Sequence, residues 1–219
     1  MYLPIHKALR AYMSDTLAAI GRMDCDDDHD VAAALAQLRE LLEICAGHLD
    51  HENQFVHSAM ERRRPGSAAR INDEHIEHSH AFGDLRAALA LVELGRGAER
   101  RTLAQILYRQ LALFIAENFE HMQREESEHN AVLWSAYTDA ELAAIEAELV
   151  ASIPPPEMMV IARWLLANNE HGYRVQMLAG VRANAPREVF EGLLAIARSN
   201  LATRDWHKLA DALALPQAA

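Results

Sequence analysis

The chain has 219 residues, 51% of them apolar, with a net charge of −11 and only two cysteines. That length can bury a substantial core without disulfides or a structural metal, and the apolar fraction excludes a disordered chain. The acidic balance and the lack of a basic stripe argue against nucleic acid and anionic membrane surfaces as partners.

No uncharged stretch nears the roughly 20 residues that a membrane span needs. The start, MYLPIHKALR, has no apolar segment or cleavage pattern of a signal peptide. Cys25 and Cys45 form no CxxC motif, so a reducing, cytoplasmic setting is expected rather than a disulfide framework.

Gly (9) and Pro (7) are scarce, Ala and Leu are abundant, and strand-like Val/Ile/Thr runs are missing. Apolar residues recur at spacings of three and four, which predicts helices. The first runs from about Pro4 to Gly21, with Pro4 suited to a first turn. The acidic stretch Asp24 to Asp30 is a loop leading to a second helix, from about Val31 to Arg63. Pro65-Gly66-Ser67 is a turn. A third helix spans about Ala68 to Leu94, and Gly95-Arg96-Gly97 ends it. A fourth spans about Ala98 to Tyr137. Thr138 and Glu141 make a capping box for a fifth, ending near Ser152.

After Pro154-Pro155-Pro156 the periodicity predicts three or four short helices, starting at Glu157, near Gly172, at Pro186 and near Thr203. Trp164, Tyr173, Phe190 and Trp206 are expected in their core. The short connections among the first four helices make neighbours antiparallel. The expected fold is therefore all-α: an up-down-up-down four-helix bundle over residues 1–152 with additional C-terminal helices over residues 153–219.

Histidine is conspicuous. There are 12, and eight lie between His48 and His129. Two segments share an HxxxE pattern, His48 to Glu52 and His121 to Glu125. On a helix, positions i and i+4 lie on one face, so each segment presents an imidazole and a carboxylate together. Each is preceded by a helix with a His near its start, His6 and His75, at intervals of 42 and 46 residues. At ~1.5 Å per residue, antiparallel helices carry His6 and His48 to one height, roughly 30 Å from the first loop. The same count brings His75 and His121 to that layer.

Four imidazoles and two carboxylates suit Fe, Mn or Zn, and a thiolate-free set argues against a structural zinc site. If both carboxylates bridge two metals, coordination stays open for a small ligand.

The ordered set I-H-K-A-L-R, H-L-D-H-E-N-Q-F, D-E-H-I and H-M-Q-R-E-E, over roughly residues 1–150, resembles the hemerythrin-like (HHE cation-binding) proteins. The resemblance implies two iron ions bridged by Glu52 and Glu125 and an oxo or hydroxo group. The terminal ligands would be His6, His48, His75 and His121, with Zn or Mn as possible substitutes. Members bind O2 or respond to oxygen, nitric oxide, peroxide or iron, and the tail resembles the extension of some bacterial members. Oxygen-carrying hemerythrins have HxxxH on the third helix, whereas here Ser79 stands four after His75.

His78, about 60° off the direction of His75, is an open candidate for a fifth His. His51 is expected beside the ligands or at the surface. His129, two turns beyond His121, is expected to be solvated or to support a ligand. Glu74 and Glu126 are open between hydrogen-bonding a ligand and facing solvent. Leu41, Ile44, Phe55, Phe82 and Phe114 share the ligands' directions. Cys45 is expected to be a small buried hydrophobe. His29, His57, His171 and His207 receive no role. Three functions stay open: binding or sensing of O2, NO, peroxide or iron; peroxidase or oxidase activity; and a metal-stabilised interaction module whose C-terminal helices bind a partner or a second copy.

Overall fold

The structure is a computed structural model and describes residues 2–215. All its regular elements are helical: α1 (Leu3–Arg22), α2 (Asp28–His51), α3 (Ser58–Arg63), α4 (Ala69–Leu94), α5 (Gly97–Arg124), α6 (Asn130–Ala136), α7 (Asp139–Ser152), α8 (Pro155–Asn168), α9 (His171–Asn184), α10 (Arg187–Asn200) and α11 (Thr203–Ala212). Two π turns, Glu52–His57 and Glu125–His129, join α2 to α3 and α5 to α6. The two long helices expected from periodicity are therefore each interrupted, and both interruptions begin at the Glu of an HxxxE segment. Single π turns inside α-helices occur mostly at functional sites.

Local chemistry explains the ends. The Asp27 carboxylate caps α2 by accepting from the His29 and Asp30 amides at 2.8 and 3.4 Å. Glu141 accepts from the Thr138 amide at 2.8 Å, while Thr138 Oγ1 accepts from the Glu141 amide at 3.4 Å, completing the box before α7. Gly66 has φ +83°, a left-handed conformation that side chains resist, in the turn before α4.

Contacts divide the chain into two compact units. The first holds Tyr2, Leu3 and Tyr12–Ser152; the second holds Pro4–Ala11 and the described residues from Ile153 to Leu215.

In the first unit, side-chain pairs fix the register. Between α1 and α2, Gln37 donates to Asp15 at 2.8 Å and Tyr12 donates to Glu40. Between α2 and α4, Arg39 meets Glu93 at 3.2 Å, and further along, in the π turn that follows α2, His57 meets Asn72 at 2.9 Å. Between α4 and α5, the rings of His75 and His121 lie 4.9 Å apart and those of Phe82 and Phe114 lie 5.5 Å apart. In every pair a step forward on one helix is a step back on its neighbour, the mark of antiparallel packing. The four helices form an up-down-up-down bundle, as the short connections require.

Leu35, Leu38, Leu41, Leu42, Leu107 and Leu111 fill its middle, each at most 1% exposed. At the loop end the buried Arg100 guanidinium donates to the carbonyls of Gly95 and Cys25 at 2.9 and 3.0 Å and pairs with Asp28 at 2.7 Å. It ties both loops together. At the opposite end Tyr2, Val56, Met60, Ile71, Leu133 and Tyr137 make a second apolar cluster, with Leu142, Ile145 and Leu149 of α7 packed on it.

The second unit has an aliphatic core of Ala162, Leu166, Leu178, Leu193, Ala197, Leu209 and Leu213 around Phe190. Trp206 packs against it from a partly buried position, and Trp164 and Tyr173 are half-buried. The expected aromatic core is thus mostly aliphatic, because the Leu and Ala positions occupy the inward faces of the short helices. Arg174 donates to the Leu166 carbonyl at 2.6 Å. Asn169 bonds the Pro4 carbonyl at 3.0 Å, and Lys7 pairs with Glu170 at 2.8 Å. Among the described residues no single helix is long and apolar enough to cross a membrane.

Candidate metal centre

The HxxxE segments occupy the ends of α2 and α5, and each Glu opens a π turn. Glu52 and Glu125 are 2% and 0% exposed, so two carboxylates lie wholly inside the bundle. His75 and His121, each 3% exposed, meet them there. His121 Nε2 lies 3.5 Å from Glu125 Oε2, and His75 Nε2 lies 3.8 Å from Glu52 Oε2 and 3.9 Å from Glu125 Oε1. His48 Nε2 is 3.1 Å from Glu52 Oε1. The ligand atoms of Glu52, His75, His121 and Glu125 all lie within 4.8 Å of one another, an arrangement that fits a metal ion. His6 is completely buried on α1, in the Pro4–Ala11 stretch that belongs to the second unit.

Hydrogen bonds on the outer ring nitrogens set the tautomers. His121 Nδ1 donates to the Glu74 carboxylate at 3.0 Å. Glu74 is held by Arg124 at 2.8 Å, and the Arg124 and His121 bonds keep its pKa low against the raising effect of burial. An ionised carboxylate only accepts, so the His121 proton is on Nδ1 and the lone pair is on Nε2. His75 Nδ1 donates to the Asn53 carbonyl oxygen at 2.8 Å, which leaves its Nε2 lone pair inward as well. These two Nε2 atoms face each other at 3.1 Å. Two lone pairs at that distance repel, and a cation placed among them and the carboxylates relieves the repulsion.

Burial keeps the imidazoles neutral. It is the largest cause of lowering the His75 pKa to about 3 and the His121 pKa to about 4, although Glu52 pulls the other way. Neutral imidazole is the form that binds metal. Glu125 is pushed well above the ordinary carboxylate range, chiefly by burial, then by the Glu52 charge and a hydrogen bond with Glu52. Without a cation the carboxylate pair holds a proton; with one, both can ionise. The residues present therefore fit a cation bound through nitrogen and oxygen.

Several neighbours differ from expectation. His129, expected solvated or supporting, is 5% exposed, accepts or donates at Tyr2 Oη over 3.2 Å, and groups with Glu125 and His57 as potential ligands. His57, given no role from sequence, is 2% exposed and belongs to the same group. Spacing held a signal: each HxxxE is followed by another His, at Glu52+5 and Glu125+4. In an α-helix a position five on points away from the first. The π turn, with bonds from i to i+5, brings it back.

His78 is buried with its ring edge-on to His121 at 4.7 Å, outside both of these groups of converging ligand atoms. His51 is half-buried and His80 exposed. Glu74, ambiguous in sequence, accepts from His121 Nδ1. Cys45 is buried, and desolvation pushes its thiol up to about 12. Phe82 and Phe114 stack edge-on beside the centre. A surface groove of about 870 Å³ between α1 and α5 lies at the loop end, lined by Leu17, Gly21, Arg101 and Tyr108.

The family model of the hemerythrin HHE cation binding domain matches residues 3–132. No curated protein and no solved structure matches the chain. The matched region covers more than half of the chain and contains both HxxxE segments, so the chain belongs to the hemerythrin HHE cation binding domain family.

Proposed function

We propose that this chain is a non-haem di-iron protein that binds or senses a small ligand, O2, NO or peroxide. Glu52 and Glu125 would bridge the two ions, with His48, His75 and His121 as terminal ligands and His6 of α1 as the sixth residue. The observation that carries this reading is the 3.1 Å approach of the His75 and His121 lone pairs over two buried carboxylates. Such a set is costly without a cation and well matched with one. The family match begins before His6 and extends past Glu125, so it includes all six residues.

When bound, a two-iron group supplies redox chemistry and an open position for a diatomic or peroxide. The chain does the rest. Asn53 and Glu74 hold the His75 and His121 rings with Nε2 inward. Phe114, edge-on to the His78 ring, and Phe82 against it keep that side apolar, which favours a neutral diatomic over water. Cys45 does not contribute a reactive thiolate, because its pKa is held at about 12. This favours sensing at the metal over sensing at sulfur.

The test is elemental analysis of protein produced with iron, with the electronic spectrum of the air-oxidised form. Two irons per chain and a ligand-to-iron charge-transfer band are expected, with spectral changes when the reduced form meets O2, NO or peroxide. No stoichiometric metal after anaerobic iron loading, or unaltered binding in His48→Ala and Glu125→Ala, would overturn it.

A further inference from the structure

His57 and His129 sit in the two π turns, beyond the residues assigned to the di-iron centre. His57 Nδ1 donates to the carbonyl oxygens of Asn53 and Asn72 at 3.1 and 2.9 Å. Its Nε2 therefore carries a lone pair. That atom is buried, has no hydrogen-bond partner, and lies 4.0 Å from Glu125 Oε1.

His57 is held as His75 is. The two rings are tilted by 31° to each other, with centroids 4.8 Å apart. Both Nδ1 atoms bond the same Asn53 oxygen, and both Nε2 atoms approach Glu125 Oε1, at 4.0 and 3.9 Å. One carboxamide oxygen thus accepts from both a proposed ligand and its neighbour. A core histidine retained only for packing has no need of a fixed, inward lone pair. The His129 ring stands at 88° to that of His57, 5.3 Å away, with Tyr2 Oη 3.2 Å from its Nδ1. Ligand atoms of His57, Glu125 and His129 all lie within 4.8 Å of one another, and all three residues are buried.

We propose that His57, Glu125 and His129 form an additional cation position, for a divalent ion of the zinc or ferrous-iron class. Two imidazoles and one carboxylate are a set that zinc takes with a fourth place left open, and the Tyr2 hydroxyl lies beside that set. The proposal rests on the di-iron reading only in sharing Glu125.

Zinc is the probe, because it binds these donors without redox chemistry. The full chain is saturated with Zn²⁺, crystallised, and its anomalous scattering mapped at the zinc edge. Bound zinc is counted in solution for the wild type and for the His57→Gln/His129→Gln variant. The expected result is an anomalous peak between His57, Glu125 and His129, and one ion fewer per chain in the variant. A peak there with none near His48, His75 and His121 would support this position and overturn the two-ion centre. Peaks confined to His48, His75 and His121, with equal zinc in both proteins, would overturn this position and leave the two-ion centre standing. No peak at either place overturns both. The map of the wild type decides the matter even if the double variant fails to fold.

Discussion

Replacing Glu74 by Ala is the sharpest test of how the centre is held. Glu74 receives the His121 Nδ1 proton at 3.0 Å and two bonds from Arg124 at 2.8 and 3.2 Å. Arg124 keeps 24% of its side chain exposed and can turn to water. The His121 side chain is 3% exposed and cannot. The substitution leaves a buried donor unsatisfied, a cost of about 1–3 kcal/mol. It also frees the ring to rotate or change tautomer. A loss of support behind a metal-bound His weakens binding roughly 10–100-fold, or about 1.4–2.7 kcal/mol. The assay is chelator competition for Fe²⁺ or Zn²⁺ on wild type, Glu74→Ala, Glu74→Gln and Arg124→Ala. Glu74→Gln keeps an acceptor oxygen and should fall between. Arg124→Ala leaves the His121 bond in place and should lie near wild type. Equal affinity in wild type and Glu74→Ala would refute the idea that this bond sets the ring; an Arg124→Ala loss as large as that of Glu74→Ala would show that the effect is generic.

Four further outcomes follow from burial and charge. The metal-free protein should lose stability on acidification below about pH 6.5. His75 is lowered to about 3, and His121 and His129 to about 4, so the unfolded chain binds protons that the folded chain refuses. Each such proton is worth about 1.4 kcal/mol per pH unit. Glu125 acts oppositely: its raised pKa contributes stability below the unfolded value of 4.5 that is lost as pH rises through the folded one. Thermal melts of chelated protein should therefore peak near neutrality, and a midpoint constant from pH 4 to 6.5 would contradict the assignment. Bound metal requires neutral His and ionised Glu, so the gain in Tm from metal should widen with pH. Leu111→Ala, at a fully buried position of α5, should cost about 2–5 kcal/mol in urea unfolding, and a loss below 1 kcal/mol would mean the bundle relaxes around the gap. A thiol reagent should reach Cys45 only on unfolding, because it is buried with its pKa at about 12; fast reaction of both cysteines in the native protein would count against this.

Much of the bundle was legible from the chain. Spacings of three and four, Pro4, the 138–141 box and the short Gly-containing connections defined helices whose ends agree with the structure within a few residues. The HxxxE pairs put His48 with Glu52, and His121 with Glu125, because a regular helix repeats its face every four residues. The π turns were not legible. A slip from i+4 to i+5 bonding weakens the ladder locally, and only packing around the buried Glu residues can make it worthwhile. Without that slip His57 points away from Glu52, which is why spacing alone gave it no role.

Sequence by itself determined the helical class, the antiparallel order and the residue types that can meet a metal, since these follow from local periodicity and loop length. Tertiary structure decided which atoms face inward. Asn53 reaches His75 across 22 positions and Glu74 reaches His121 across 47, and such partners share no local pattern. They are found only when helices pack, and the bonds they make choose the tautomer on which metal binding depends.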